Sequence, residues 1–92
     1  MTIALAIDTS TSRTIVGLVD GDKVLFEEYS EGATDHGRAV SDLVTKALAG
    51  NPLPNQVVVG MGPGPFTGLR VGIAFARTFA LSRGIPVIGV CS

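Results

Sequence analysis

The chain has 92 residues, of which 46% are hydrophobic and 12 are glycine, and its formal net charge is −1. These values predict one compact domain, and they exclude a disordered chain or a domain basic enough to bind nucleic acid by itself. A single cysteine, Cys91, excludes an intrachain disulfide and is typical of a reducing compartment. The apolar N-terminal run is short, lacks basic residues and stops at Asp8, so it predicts neither a signal peptide nor a membrane span. We therefore expect a cytoplasmic protein.

The first third of the sequence predicts three antiparallel strands. The apolar run Ile3–Ile7 precedes polar turn residues 8–13, and β-branched residues are frequent in Thr14–Val19. Residues 20–22 form the tight-hairpin signal Asp-Gly-Asp, after which Lys23–Ser30 supplies the third strand.

Two helices and two further strands follow. Apolar residues recur with helical spacing from His36 to residue 49, with Asp35 as the predicted N-cap and Gly50 and Pro52 after the helix end. A second helix is predicted from about Thr67 to Arg83, closed by Gly84. The remaining strands are predicted at 56–60 and 86–90.

The predicted order β-β-β-α-β-α-β defines an α/β fold with a mixed five-stranded sheet. It matches the ribonuclease H-like core of actin-like proteins, the group that includes actin, Hsp70 and the sugar kinases. Helical crossovers make the later strands parallel. Because this core normally carries a further helix and a second lobe, we expect residues 1–92 to form a single N-terminal lobe, with the second lobe absent from the chain.

A polar turn follows the first strand and is the first candidate site. Asp8, Thr9 and Ser10 supply a carboxylate and hydroxyls that suit a hydrated Mg²⁺ or a phosphate. The turn has no glycine that would allow close backbone approach to a phosphate. The alternative is that Asp8 and the hydroxyls cap a tight hairpin through local hydrogen bonds.

A glycine-rich loop at residues 61–67 is the second candidate. Gly62, Gly64 and Thr67 could gather amide donors at a helix N-terminus and bind an anion. The loop fits neither a Walker motif nor G-x-G-x-x-G, and Pro63 and Pro65 remove donors. A rigid structural turn is the alternative interpretation.

The second helix is the third candidate, because it is apolar on more than one side. Small residues recur every four positions from Gly68 to Ala80, which permits close packing on the sheet of the same lobe or on another chain. Large apolar residues lie on other sides of this helix, and its only charges are arginines. We expect both helices to contact a partner protein through Val40, Leu43, Val44, Leu69, Gly72, Ile73 and Ala76.

No catalytic or metal centre is predicted. His36 is the only histidine, and a lone histidine at a helix start is more typical of a cap or a surface residue than of a zinc ligand. We expect no bound metal and no cofactor.

The sequence resembles the TsaB (YeaZ) family of tRNA threonylcarbamoyladenosine biosynthesis proteins. The resemblance covers essentially the whole chain, and its most specific part is Gly62-Pro63-Gly64-Pro65-Phe66-Thr67-Gly68-Leu69-Arg70-Val71-Gly72. Ile7-Asp8-Thr9-Ser10, His36 and the stretch 84–90 also match. Many members carry serine where this chain has Pro65, which argues against a role for a hydroxyl at that position.

The resemblance implies an actin-like, two-lobed fold and a subunit that is not itself the transferase. It implies a scaffold that pairs with the paralogous transferase TsaD, recruits the ATPase TsaE and contacts tRNA only through that complex. It also implies homodimers formed through the two helices of this lobe. The rival hypothesis is an ATP-dependent kinase or hydrolase of the actin-like superfamily that uses Asp8 and the glycine-rich loop. A metallopeptidase is disfavoured because metal ligands are too few.

Overall fold

The predicted elements and their order are confirmed. The computed structural model describes residues 2–10, 13–31, 36–61 and 66–90, and for residues 66–68 only the backbone is described. The strands are β1 (Ile3–Asp8), β2 (Arg13–Asp20), β3 (Lys23–Glu31), β4 (Gln56–Gly60) and β5 (Val87–Val90), and the helices are α1 (His36–Leu48) and α2 (Phe66–Arg83). Each bound lies within one residue of the prediction.

The five strands form one mixed sheet in the order β3-β2-β1-β4-β5. β1, β2 and β3 pair antiparallel, as expected for consecutive strands joined by hairpins. β4 pairs parallel with β1, and β5 pairs parallel with β4, because each of these strands follows a helix that returns the chain to the starting edge. β1 is therefore central, with one antiparallel and one parallel neighbour.

The core lies between one face of this sheet and the two helices. Leu5, Ile7, Val16, Val57 and Val59 point towards the helices, and all five are buried. α1 contacts mainly β2 and β3, whereas α2 contacts mainly β4 and β1. The other face of the sheet has no described element packed on it, and we call it the open face.

Both helices end where the sequence predicts. Gly50 and Gly84 follow the helix ends with φ values of 75° and 66°, a backbone conformation that is costly for residues with a Cβ atom. After α2 the Ile85 amide donates to the Ala80 carbonyl oxygen at 3.0 Å, which satisfies one of the last carbonyls.

Asn55 fixes the start of β1 against β4. Its side-chain oxygen accepts a hydrogen bond from the Ile3 amide at 3.1 Å, and its own amide donates to the Ile3 carbonyl oxygen at 2.8 Å. These two bonds set the register of the parallel pair at its first residue. Among the described residues, no helix is both long enough and apolar enough to cross a membrane.

Candidate functional site

The turn after β1 is closed by the Asp8 carboxylate. Its Oδ1 atom accepts hydrogen bonds from the Ser10 amide at 2.8 Å and from the Ser10 hydroxyl at 2.6 Å. This local capping is the structural alternative that the sequence left open for Asp8. Asp8 is partly buried, whereas Thr9 and Ser10 are buried. One carboxylate oxygen is thus committed to shaping the turn.

The Asp8 carboxylate lies directly against β4. A Cβ atom built on Gly60 would be 2.8 Å from the Asp8 Cγ and 2.9 Å from its Oδ2. Any larger residue at position 60 would push the carboxylate away, so the missing side chain of Gly60 creates the space that Asp8 occupies.

Thr9 joins this turn to α2. The Gly72 amide donates to the Thr9 Oγ1 at 3.1 Å, between residues 63 positions apart in the sequence. A Cβ atom on Gly72 would lie 2.5 Å from the same oxygen. The helix therefore approaches the turn closely only because Gly72 has no side chain.

A cleft of about 200 Å³ opens beside Asp8 on the open face. Its walls are formed mainly by the aliphatic side chains of Ile15, Val58 and Val90, with Asp8 and Gly60 at one end. A mostly apolar cleft with one carboxylate has the kind of lining found in ligand pockets. Its lining provides few polar groups that could recognise a nucleotide.

Three of the residues predicted to bind an anion are described in the structure, and the side chains of the other three lie outside the described part of the chain. Asp8, Thr9 and Ser10 are contiguous in the turn. Gly62 and Gly64 lie outside the described residues, and the side chain of Thr67, in the first turn of α2, lies outside them as well. Binding of an anion there stays a prediction.

Of the two roles expected for His36, a cap or a surface residue, the surface role is wrong. His36 is buried at the first position of α1, and its Nδ1 lies 2.6 Å from the Thr14 Oγ1 of β2, which is also buried. The sequence could not reveal this contact, since nothing local links residues 22 positions apart. The pair ties the beginning of α1 to the sheet. Within the described part of the chain, no group of three or more His, Cys, Asp or Glu side chains could hold a metal ion.

The side chains predicted to meet a partner are mostly in the core of this chain. Buried residues are Val40, Leu43, Val44, Leu69, Gly72 and Ala76, whereas Ile73 is partly buried. Three of the small residues on α2, Gly72, Ala76 and Ala80, are buried within the same lobe, which is one of the two alternatives given by the sequence. An interface through the helices stays a prediction, but other side chains would have to provide its contacts.

The exposed side of α2 holds residues that the sequence analysis did not single out as contacts. Leu81 is 85% exposed, and Arg70, Ala74 and Arg77 are exposed along the same side of the helix. The outer side of α1, in contrast, is polar, with exposed residues at 38, 41, 42, 45 and 46. Among the described side chains of the two helices, Leu81 is the one large hydrophobic residue that is exposed. The broad excess of apolar surface expected on both helices is therefore not seen there.

Comparisons with known proteins agree with this fold. Residues 28–92 match the family model described as "TsaD: tRNA N6-adenosine threonylcarbamoyltransferase". An uncharacterised protein of Mycobacterium leprae is 46% identical over 100 residues, which cover 100% of this chain and 28% of that protein. The tRNA threonylcarbamoyladenosine biosynthesis protein TsaB of Bacillus subtilis is 35% identical over 96 residues, which cover 100% of this chain and 42% of that protein.

A solved structure, YeaZ from Pseudomonas aeruginosa, superposes on the chain with a TM-score of 0.90 at 30% identity, covering 99% of this chain and 44% of that one. This chain thus spans less than half the length of these relatives. The similarity nevertheless extends over all its elements, and it includes relatives named for one tRNA modification. The chain belongs to the TsaB (YeaZ) family.

Proposed function

We propose that the chain belongs to a non-catalytic scaffold subunit for tRNA threonylcarbamoyladenosine synthesis in the cytoplasm, which pairs with a TsaD-type paralogue. Membership in the TsaB (YeaZ) family supports the pathway, and the match to the TsaD family model supports a paralogous partner of similar fold. Recruitment of a TsaE-type ATPase and contact with tRNA only through the complex complete the proposal, as the resemblance implies.

The observation that carries the non-catalytic role is the engagement of Asp8. An enzyme of the actin-like group needs a carboxylate at this position that is free to organise a metal-bound water. Here one oxygen of the carboxylate, Oδ1, accepts two hydrogen bonds from Ser10 and holds the turn in place. Capping of this kind gives Asp8 a structural role that does not require catalysis.

The open face supports the view that this lobe is one part of a two-lobed protein. Four of the large hydrophobic residues exposed in the structure lie on it, and the chain covers 44% of the matching YeaZ structure. We propose that the second lobe, or the segment leading to it, covers this face.

Reconstitution tests the proposal. Purified TsaD-type paralogue, TsaE-type ATPase, ATP, threonine, bicarbonate and unmodified tRNA are combined with and without the protein, together with the pathway enzyme that supplies the threonylcarbamoyl group. Modified nucleoside is measured by mass spectrometry. We expect formation of threonylcarbamoyladenosine to depend on the protein, and no dependence would contradict the proposed function.

Asp8→Asn separates the scaffold from the rival kinase or hydrolase, whose supporting observation is the cleft beside Asp8. The asparagine oxygen can accept both bonds from Ser10, so the turn is kept while the negative charge is lost. A scaffold should retain modification within about twofold of the unsubstituted protein. An Asp8-dependent enzyme should lose its activity, and it should bind ATP in calorimetry with a heat that the variant lacks.

A further inference from the structure

The carboxylate at the end of the open-face cleft keeps one oxygen for a further contact. Both hydrogen bonds from Ser10 go to Oδ1 of Asp8. Within the described part of the chain, the other oxygen, Oδ2, has neither a hydrogen-bond donor nor an ion-pair partner. It lies beside Gly60, which has no side chain to cover it. The turn therefore uses one carboxylate oxygen, and the other can accept a bond from another segment.

The size and lining of this cleft favour a single side chain over a nucleotide or another small molecule. Its volume is about 200 Å³, below the roughly 300–1,000 Å³ of pockets that hold drug-sized ligands. Ile15, Val58 and Val90 form apolar walls that lead to the carboxylate. An occupant that matches both parts of the cleft has an aliphatic stem and a cationic end.

The charges of the open face also favour a cation. Because side chains alternate along a strand, the pairing of β1, β2 and β3 places Arg13, Glu27 and Glu31 on the same face as Asp8. The open-face positions of the five strands thus carry three carboxylates and one guanidinium. Arg13 pairs with Glu31 at 3.3 Å. The charge left over on this face is negative, and it attracts a positive group to the cleft.

A lysine fits the carboxylate better than an arginine does. A guanidinium binds a carboxylate most strongly as a fork that uses both oxygens. Since Oδ1 of Asp8 already accepts two bonds, a fork would compete with Ser10. An ammonium group is a compact charge that needs only one oxygen, and its four-carbon stem can lie along the apolar walls.

We propose that a lysine from the part of the protein that covers the open face enters this cleft and pairs its ammonium group with Oδ2 of Asp8. The inference rests on the two-lobed protein of the proposed function, in which the second lobe or the segment leading to it covers this face. Ala6 and Gly17 pair beside the cleft, and their small size lets a covering backbone come close. Apolar contact is not directional, so the ion pair positions the covering segment. It takes no part in a reaction.

The first test measures how fast each lysine of the full-length protein is acetylated, with mass spectrometry as the readout. One lysine outside residues 1–92 should react about tenfold or more slowly than the exposed Lys23, because its ammonium group is paired and covered. Asp8→Asn keeps an acceptor for Ser10 and removes the charge, so it should abolish most of this protection. Glu27→Gln is the matched control, because it neutralises another carboxylate of the same face on β3 and should leave the protection unchanged.

The second test uses n-butylammonium, which has the stem and the charge of a lysine side chain. It is titrated into the 92-residue chain, whose folding is first established by circular dichroism, and binding is followed by NMR at the amides of Ile15, Val58 and Val90. Affinity should exceed that of n-butanol by about fivefold or more, and Asp8→Asn should remove the difference. Equal binding of the two compounds to the unsubstituted chain would overturn the role given to the carboxylate.

The outcomes separate the inference from the proposal on which it rests. If the full-length protein binds the hydrophobic dye ANS as strongly as the 92-residue chain does, the open face is not covered, and both the proposed cover and the inference fail. If the dye is excluded and no lysine depends on Asp8, the cover stands and the inference is wrong. Exposure of one lysine in the Asp8 variant alone supports the inference. The reconstitution assay reports on the scaffold function independently of these results.

Discussion

Gly72 has no side chain, and the space that its Cβ atom would need is filled by the side chain of Thr9. The built Cβ would be 2.5 Å from Thr9 Oγ1 and 3.3 Å from Thr9 Cγ2. Thr9 is buried and β-branched, so its side chain has few other rotamers to adopt. The close contact lets the Gly72 amide donate to the threonine oxygen, which links α2 to the turn that contains Asp8.

Gly72→Ala should therefore destabilise the protein although alanine is the better helix former. We expect the free energy of unfolding to fall by about 1–3 kcal/mol, the usual cost of overpacking, measured by urea denaturation. Gly37→Ala in α1 is the matched control, because among the described residues the added methyl group would meet only Val71 Cγ1, at an ordinary contact distance of 3.9 Å. That variant should be as stable as the parent or more stable by up to about 1 kcal/mol. Equal stability of the two variants would contradict the packing described for Gly72.

The buried contact between Thr14 and His36 makes a second prediction. Thr14→Val keeps the shape of the side chain and removes the hydroxyl that lies 2.6 Å from His36 Nδ1. A buried polar atom left without its partner should lower the free energy of unfolding by about 1–3 kcal/mol.

Thr45→Val is the control for this change, because Thr45 Oγ1 donates to the Ser41 carbonyl oxygen on the exposed side of α1. Its effect on the free energy of unfolding should stay within about 0.5 kcal/mol, as for most surface substitutions. Loss of stability as large as that of Thr14→Val would show that the hydroxyl contact with His36 is not the cause.

At the scale of elements, the two helices differ in where they keep their large apolar residues. α1 buries Val40, Leu43 and Val44 and exposes a polar side, the ordinary pattern of an amphipathic helix. α2 buries the small residues Gly72, Ala76 and Ala80 together with Leu69, whereas its larger residues Ile73, Phe75 and Phe79 are only partly buried against the core. Leu81, which is 85% exposed, lies on the outward side of α2.

The same substitution in the two helices should therefore affect stability very differently. Leu43 is 5% exposed, and Leu43→Ala should reduce the free energy of unfolding by about 2–5 kcal/mol, as in other cores. Leu81→Ala should change stability by no more than about 0.5 kcal/mol, because the side chain is already in solvent. Binding to the TsaD-type paralogue, measured by calorimetry, should be weakened by Leu81→Ala. Unchanged binding would contradict a contact between the exposed side of α2 and the paralogue.

The elements could be predicted because each depends on local pattern. Alternation and β-branched residues mark β2, and Gly84 marks the end of α2. The face of α2 could not be assigned, because a burial pattern is usually read from large apolar residues, and here glycine and alanine mark the buried side. The site was predictable only where its contacts are local, as between Asp8 and Ser10. Contacts of Thr9 with Gly72 and of Thr14 with His36 depend on packing between distant segments.

At the scale of the whole molecule, the two faces of the sheet differ in how much of their surface is packed against other elements. One face is covered by both helices. The other exposes Val24, Tyr29, Ile88 and Val90, which are 58%, 57%, 44% and 48% exposed. The first two residues lie on β3 and the last two on β5, at opposite edges of the sheet. Large hydrophobic residues exposed on one face of a small domain are typical of a contact with other protein.

Ile88→Lys combined with Val90→Lys should lower the binding of a hydrophobic dye such as ANS by the isolated chain, and it should lower self-association through this face. The free energy of unfolding should change little, because both side chains are about half exposed. Leu53→Lys, in the loop before β4, is the control, because this residue is 62% exposed outside the sheet. Dye fluorescence is the measurement. An equal decrease in the control, or none in the double variant, would contradict a role for the open face.

The hydrogen bonds of Asn55 have a consequence for the order in which the sheet can assemble during synthesis. β1, β2 and β3 are neighbours in sequence, so they can pair as soon as they leave the ribosome. The other edge of β1 has to wait until α1 and then Asn55 and β4 have been made, since the bond from Ile3 closes a separation of 52 residues. Closing such a loop is slow compared with forming a hairpin. Until translation passes Gly60, one side of β1 has no strand to pair with, so β1 is an edge strand. During that interval the N-terminal hairpins are most exposed to pairing with a wrong strand.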